Sequence, residues 1–383
     1  MTYFNYLFSN EGSNKKGQIV GTCYTYCPQE EICLRKREKL VHILEVVDDD
    51  MKLIKSYSRS AADSNMAVPC NLRPFTVLKD TIYYLLVEVM KKTHVPETIV
   101  YDFLNDRLRA VRQDMIIQRL PPEQCLELLD PIIRFHIYFA YRFSGKTIKD
   151  FDPVLNNKYL LECVKWFLSC ADEVDRLNNL FNTDNLVLSL DLLNLGEKKS
   201  AYDRVLIESL YILCNIENSQ PLLRYLELPN YVKSNPRLKL TYEIAKANLK
   251  GNYIRVCRLS HSLCPLTTCA FLIYLPTLQR RSLQVMSSAY NSTQLTVPTT
   301  ALQQWLLFNN EFNVTESCKH YGLIVVDGGI KFNKAAFKCD VNIEAGRKAF
   351  TQFVESRSPE FYHKGSNDLP IIWQKYLDNE AQT

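Results

Sequence analysis

Cys23, Cys27 and Cys33 lie in "GTCYTYCPQEEICLRKREKLVH", with His42 as its last residue. Three thiols and an imidazole are a zinc donor set if they converge tetrahedrally. Here the gaps of three and five residues are atypical, and Cys33 falls on a helix whose first turn begins at Pro28. His42 stands more than two turns further along. A redox pair fares worse, because the spacing is not Cys-x-x-Cys. The stretch therefore reads as a tight loop at the entrance of a helix, and no metal is expected.

Arg134 and His136 in "IIRFHIYF" would suit acid–base work, but no Ser, Cys or Asp at a motif spacing completes a catalytic set. A histidine on a crowded apolar helix is expected to be a satisfied core group. No Gly-rich phosphate loop is present either. We expect a non-enzyme without a cofactor.

Phosphate contact is the remaining chemistry. "DRLRAVRQD" brings Arg107, Arg109, Arg112 and Asp114 onto one helix. It reads as an RNA-binding strip or as an arginine–carboxylate network clamping helices. Because acids alternate with the bases, the network is the reading adopted, with Arg112 at the edge of the apolar stripe and Asp106 within pairing reach of Arg109. The "RKREK" run beginning at Arg35 reads as a solvated face. A second basic group, Lys319, His320, Lys331, Lys334 and Lys338 with Arg280 and Arg281 upstream, is the better candidate for RNA or DNA, or for a protein partner.

Composition sets the class. Hydrophobic residues make up 46% and charged residues 23% of the 383 positions, which is ordinary for a folded chain. Only 11 glycines and 16 prolines interrupt it, which favours long helices. The net charge of +4 permits nucleic-acid contact without requiring it. The 13 cysteines lack paired spacing, and an odd count of thiols within apolar patterns suits a reducing compartment. With no apolar leader or membrane-length run, the chain is expected in nucleus and cytoplasm.

Helical periodicity predicts helices over Pro28–Val47, Met51–Ala62, from Arg73-Pro74 onward, Ile99–Arg119 and Pro122–Phe143. Hairpin-like helical segments follow to Asn291, among them a pair broken at Gly251-Asn252 and resembling a tetratricopeptide hairpin. From Pro298 the pattern becomes helix, helix, strand, turn, strand, with Asp327-Gly328-Gly329 as the hairpin turn. The expected fold is all-α, a helical-hairpin stack ending in a small winged helix. The expected divisions are an arm over 1–20, an N-terminal helical region over 21–150, a stack over 151–291, a winged helix over 292–345 and a polar tail over 346–383. Within that tail, "LPIIWQKYL" could form a short helix.

Five blocks in order, "GTCYTYCPQEE", "IKSYSRSAA", "LRPFTVLKDTIYYLL", "YDFLNDRLRAVRQDMIIQ" and "IIRFHI", resemble the signature blocks of the SAC/GANP family. That family comprises helical scaffolds of eukaryotic messenger-RNA export with a winged helix like that of PCI proteins. On this resemblance Cys23, Cys27, Pro28, Arg59, Arg107, Arg109, Arg112, Asp114, Arg134 and His136 are structural signature positions. The implied partners are a PCI-type subunit or centrosomal and spindle proteins, with no membrane. No Phe-Gly repeats precede Gly21, and no long basic helical region follows the winged helix. The chain thus resembles the small stand-alone member of the family, which implies centrosome duplication, spindle assembly and mitotic progression, with messenger-RNA export as family background.

Overall fold

The computed structural model describes residues 19–47, 50–58, 67–92, 94–184 and 202–343, with side chains only to residue 178 in the stretch ending at 184. Arg59, the segment "NLVLSLDLLNLG", most of the arm, and the tail beyond Ile343 with "LPIIWQKYL" lie outside the described residues. Among the described residues the chain is mainly helical, with two small antiparallel sheets. It divides into two compact units, one holding residues up to Ile132 together with the segment from Ser169, the other holding Ile133–Leu168 and the chain from Tyr202. No helix among the described residues is long and apolar enough to cross a membrane.

In the first unit α1 spans Gln29–Arg37. Pro28 precedes it, acids (Glu30, Glu31) occupy its first turn, and Arg35, Lys36 and Arg37 its last, the order a helix dipole favours. The helix stops well short of the expected Val47, because Lys39 enters the left-handed region at φ 56°. His42 and Glu45 then form a capping box on a single 3-10 turn, Ile43–Glu45. The apolar residues that suggested a longer helix serve this turn and β1 (Val46–Val47) instead.

β1 pairs antiparallel with β2 (Asp50–Met51), and residues 52–58 continue without helix. The helix expected from Met51 is therefore absent over the described part of its range. Its backbone is engaged elsewhere: the Lys52 N–H donates to the Glu45 carbonyl at 2.8 Å and the Lys55 N–H to the Tyr26 carbonyl at 3.0 Å. A short apolar run cannot by itself distinguish strand from helix.

α2 (Phe75–Tyr83) passes into a π turn and a 3-10 turn ending at Lys91. α3 (Glu97–Gln118) presents Tyr101, Leu104, Leu108, Val111 and Met115 to the core and ends where Arg119 turns left-handed at φ 51°. α4 (Pro122–Arg142) buries residues on nearly all sides, as its apolar sequence predicts.

The second unit contains the C-terminal part of α4 and the N-terminal part of α5 (Pro153–Asp184). It continues through α6 (Arg204–Cys214), α7 (Gln220–Glu227), α8 (Asn230–Lys233), α9 (Pro236–Leu249), α10 (Tyr253–Ser260) and α11 (Pro265–Ala289). The hairpin of α9 and α10 turns at Gly251, whose φ of 68° suits a residue without a Cβ. Asn252 restarts the chain as a cap, its side chain accepting from the Arg255 N–H at 3.0 Å. β3 (Val297–Pro298), α12 (Thr299–Leu306), α13 (Glu311–His320), β4 (Ile324–Val326) and β5 (Gly329–Lys331) complete the unit, with sheet order β3-β5-β4.

Gly21 approaches the Leu72 carbonyl so closely that a Cβ would collide with it, and its N–H donates to Gln118 Oε1 at 2.8 Å. Gly21→Ala should therefore lower stability by about 1–3 kcal/mol in urea unfolding, whereas Gly251→Ala should lose only its turn preference.

Candidate functional site

The residues of "DRLRAVRQD" meet acids that are far away in sequence. The Glu45 carboxylate is fully buried, ion-pairs with Arg35, and accepts from Arg107 Nη2 at 3.3 Å. It also accepts backbone N–H bonds from His42 and Ile54, each at 3.0 Å. Burial pushes this carboxyl up, but the Arg35 hydrogen bond, the two N–H bonds and the Arg107 charge outweigh it and hold it below the usual range.

Asp114 is the second hub. It accepts from Arg73 Nε at 2.7 Å and Lys55 Nζ at 2.6 Å, and it too is fully buried. Gln118 ties the lattice to the opening loop, donating to the Arg73 carbonyl at 2.8 Å while accepting from Gly21. Arg109 lies over the Tyr57 ring at 3.9 Å, and Asp106 ion-pairs with Arg107 and accepts from the Tyr57 N–H at 3.2 Å. Arg112 is half-buried on the same helix. Two of these arginines, Arg35 and Arg73, and the acid Glu45 escape sequence reasoning. Arg35 was read as solvated within "RKREK", yet its exposure is 6%, because Glu45 lies opposite it. The available signal was a lone acid between Leu44 and Val46.

The opening cysteines do not converge on a metal. Cys23 and Cys27 are buried and Cys33 is exposed on α1, while the His42 ring accepts from the Leu44 N–H at 3.2 Å. Burial, aided by Glu31, pushes the Cys27 thiol up. His136 is buried in the second unit. Its Nδ1 lies 2.8 Å from Asn156 Oδ1, and the Asn156 amide donates to the His136 carbonyl at 3.1 Å, so the ring is a paired core group. Arg134 is buried as well.

The winged helix has its own core of Val297, Leu302, Leu306, Val314, Cys318, Ile330 and Phe332, closed by Leu283 and Met286 from α11. Its basic residues divide into two sets. Lys319 pairs with Glu316 at 3.0 Å, Arg281 pairs with Glu217, Arg280 donates to the Cys339 carbonyl, and His320 contacts the Asn342 carbonyl at 2.8 Å. Lys334 and Lys338 are exposed and Lys331 half-buried, with no acid partner among the described residues. Sequence reasoning missed Phe312 on α13, which is 69% exposed, and Ile324 on the edge strand β4, 52% exposed.

The described residues thus form a helical body ending in a winged helix, with the buried carboxylates Glu45 and Asp114 held in ion pairs. Residues 26–327 match the model of the SAC3/GANP family, and the chain belongs to that family. It is 26% identical to Protein xmas of Drosophila melanogaster over 330 residues, 82% of this chain and 15% of that protein. SAC3 family protein B of Arabidopsis thaliana is 22% identical over 312 residues, 79% of this chain and 17% of its own length. SAC3 family protein 1 of Schizosaccharomyces pombe is 23% identical over 369 residues, 88% of this chain and 34% of its own length. The chain thus spans about a third or less of the curated relatives it matches.

Glu45→Gln should cost about 3–5 kcal/mol, because it leaves buried arginine charge without its carboxylate. The folded carboxyl titrates below its unfolded value. Its contribution is therefore complete above the ordinary glutamate range, about pH 4.3, and is lost as pH falls through the lower folded value. Urea unfolding across pH should show an acid-limb slope that Glu45→Gln reduces.

Proposed function

We propose that the chain is a non-enzymatic scaffold of messenger-RNA export that docks a partner subunit on its winged helix. The supporting observation is Phe312. A large aromatic side chain at 69% exposure on α13 of an otherwise well-packed domain offers a partner an apolar anchor. Ile324 on the edge strand extends the apolar surface of the same domain. The partner best suited to it is a PCI-type subunit with its own winged helix. Phe312→Asp should leave the melting temperature unchanged and abolish recovery of that partner. Full recovery by the variant would remove this face from the account.

Nucleic acid is the second reading, favoured by Lys331, Lys334 and Lys338. Changing all three to Glu should weaken wild-type RNA or DNA binding, and wild-type affinity should fall with salt at a slope of about 0.7–0.9 per phosphate contacted. Unaltered affinity in the triple variant would place any nucleic-acid contact elsewhere.

The finer assignment to centrosome duplication and spindle assembly rests on the resemblance of the signature blocks to the small stand-alone member. Residence in nucleus and cytoplasm is proposed on the same footing. Imaging the tagged chain through mitosis tests both, with enrichment at spindle poles the expected result and exclusion from them the contrary one.

A further inference from the structure

Between Glu227 and Glu311 the sequence contains one acid, Glu243, while lysine and arginine recur through the same stretch. The hairpin of α9 and α10 concentrates them. Lys239, Glu243, Lys246 and Lys250 stand at i, i+4, i+7 and i+11, so they form one stripe along α9, with Lys250 just past its end. On α10, Arg255 and Arg258 share a face at i and i+3. Glu243 joins the two rows, its carboxylate meeting Lys246 at 3.2 Å and Arg255 at 3.3 Å. Five cations and one acid therefore occupy one face. Lys239, Lys250 and Arg258 are exposed and have no acid partner among the described residues.

Acids on the neighbouring elements do not cancel this surplus, because each has its own arginine or points away. Asp203 pairs with Arg237 at 3.2 Å, and the buried Glu208 is held by Arg224 at 2.8 Å. Glu217 pairs with Arg281. Glu227 stands two residues from Tyr225, whose ring stacks on Tyr242 of α9 at 4.0 Å, and so lies on the far side of α7. Leu249 is the one large apolar side chain exposed on the hairpin. Protein interfaces are depleted of lysine and gain their energy from apolar and aromatic anchors, so this face is poorly made for a protein. A phosphodiester chain needs the opposite, a row of exposed cations without a pocket. The helical rise places Lys246 and Lys250 about 6 Å apart along the axis, close to the phosphate step of an extended strand.

We propose that the exposed face of the α9–α10 hairpin binds the phosphodiester backbone of nucleic acid without reading its sequence, with Lys239, Lys246, Lys250, Arg255 and Arg258 supplying the phosphate contacts. These residues belong to the helical stack and are distinct from the three lysines of the wing. Glu243 tempers the face, since its carboxylate occupies Lys246 and Arg255 and repels phosphate. The proposal rests on the messenger-RNA reading for the choice of RNA as the probe, while the charge pattern stands independently of it.

The test follows the fluorescence anisotropy of a labelled oligouridylate of about 15 nucleotides on the full chain at several salt concentrations. Wild-type affinity should fall with salt. The variant Lys239→Glu with Lys250→Glu and Arg258→Glu should bind about tenfold more weakly or worse, with a salt slope shallower by about 2, three contacts at roughly 0.7 each. Its melting should be unchanged, since no ion pair is lost. Glu243→Gln should bind about threefold more tightly, a gain that a folding defect cannot produce. Lys36→Glu with Arg37→Glu and Lys39→Glu makes the same charge change on α1 and should bind as wild type. An equal loss there reduces the effect to net charge and overturns the proposal. So does absence of wild-type binding at low salt, or full affinity in the hairpin variant. Displacement of the RNA by a polyglutamate peptide at equal charge would make the face a dock for acidic protein and overturns it too. Oligothymidylate and a duplex of equal length identify the strand form taken, and loss of either in the hairpin variant upholds the backbone site. Phe312→Asp should bind the RNA as wild type, so failure of the partner reading and failure of this one are separate results.

Discussion

A carboxylate with no access to water has to be neutralised where it sits, and Glu45 is that group in the first unit. Arg35 from α1 and Arg107 from α3 converge on it, and the N–H groups of His42 and Ile54 complete its shell. The arrangement fixes the chain on both sides of the β1–β2 turn. The capping box at His42 follows the early end of the helical run, and the backbone beyond Met51 stays out of a helix because its N–H groups are already committed. Asp114 repeats the device one step along α3, drawing in Arg73 and Lys55. Removing one member of such a lattice strands the charge of another, so these positions tolerate little change.

The second unit is organised differently. Its cores are largely apolar, and buried polar groups enter as separate pairs, His136 with Asn156 and Glu208 with Arg224. α11 has two parts in one helix: the stretch around Pro276 borders an open cleft, and the turns carrying Leu283 and Met286 close the winged-helix core. Arg281, between these stretches, is tied to Glu217. On β5 and the turns that follow it, Lys331, Lys334 and Lys338 have no acid partner among the described residues. This charge distribution suits a surface read by a partner.

Family membership and physical reading agree at the level of a scaffold. The match over residues 26–327 covers the lattice, the helical hairpins and most of the winged helix. The chain corresponds to a small share of each relative, so what those longer proteins assemble cannot be carried across whole. The proposed docking depends on faces this chain itself presents: Phe312 and Ile324, and the three lysines of the wing.

Sequence alone determined the elements whose signals are local. The apolar stripe of α3, the encircling apolarity of α4, the Gly251 turn and the Asp327-Gly328 wing were all legible, because backbone preference and burial face agree there. The signature blocks were legible too, as an ordered set. Only the tertiary structure decided where α1 ends, that the run after Met51 is not helical, that Arg35 is buried, and that Arg281 pairs with Glu217. The physical reason is common to all of these. A charge or a backbone N–H takes its state from the partner opposite it, and Glu45 and Glu217 meet Arg35 and Arg281 only once the chain has folded.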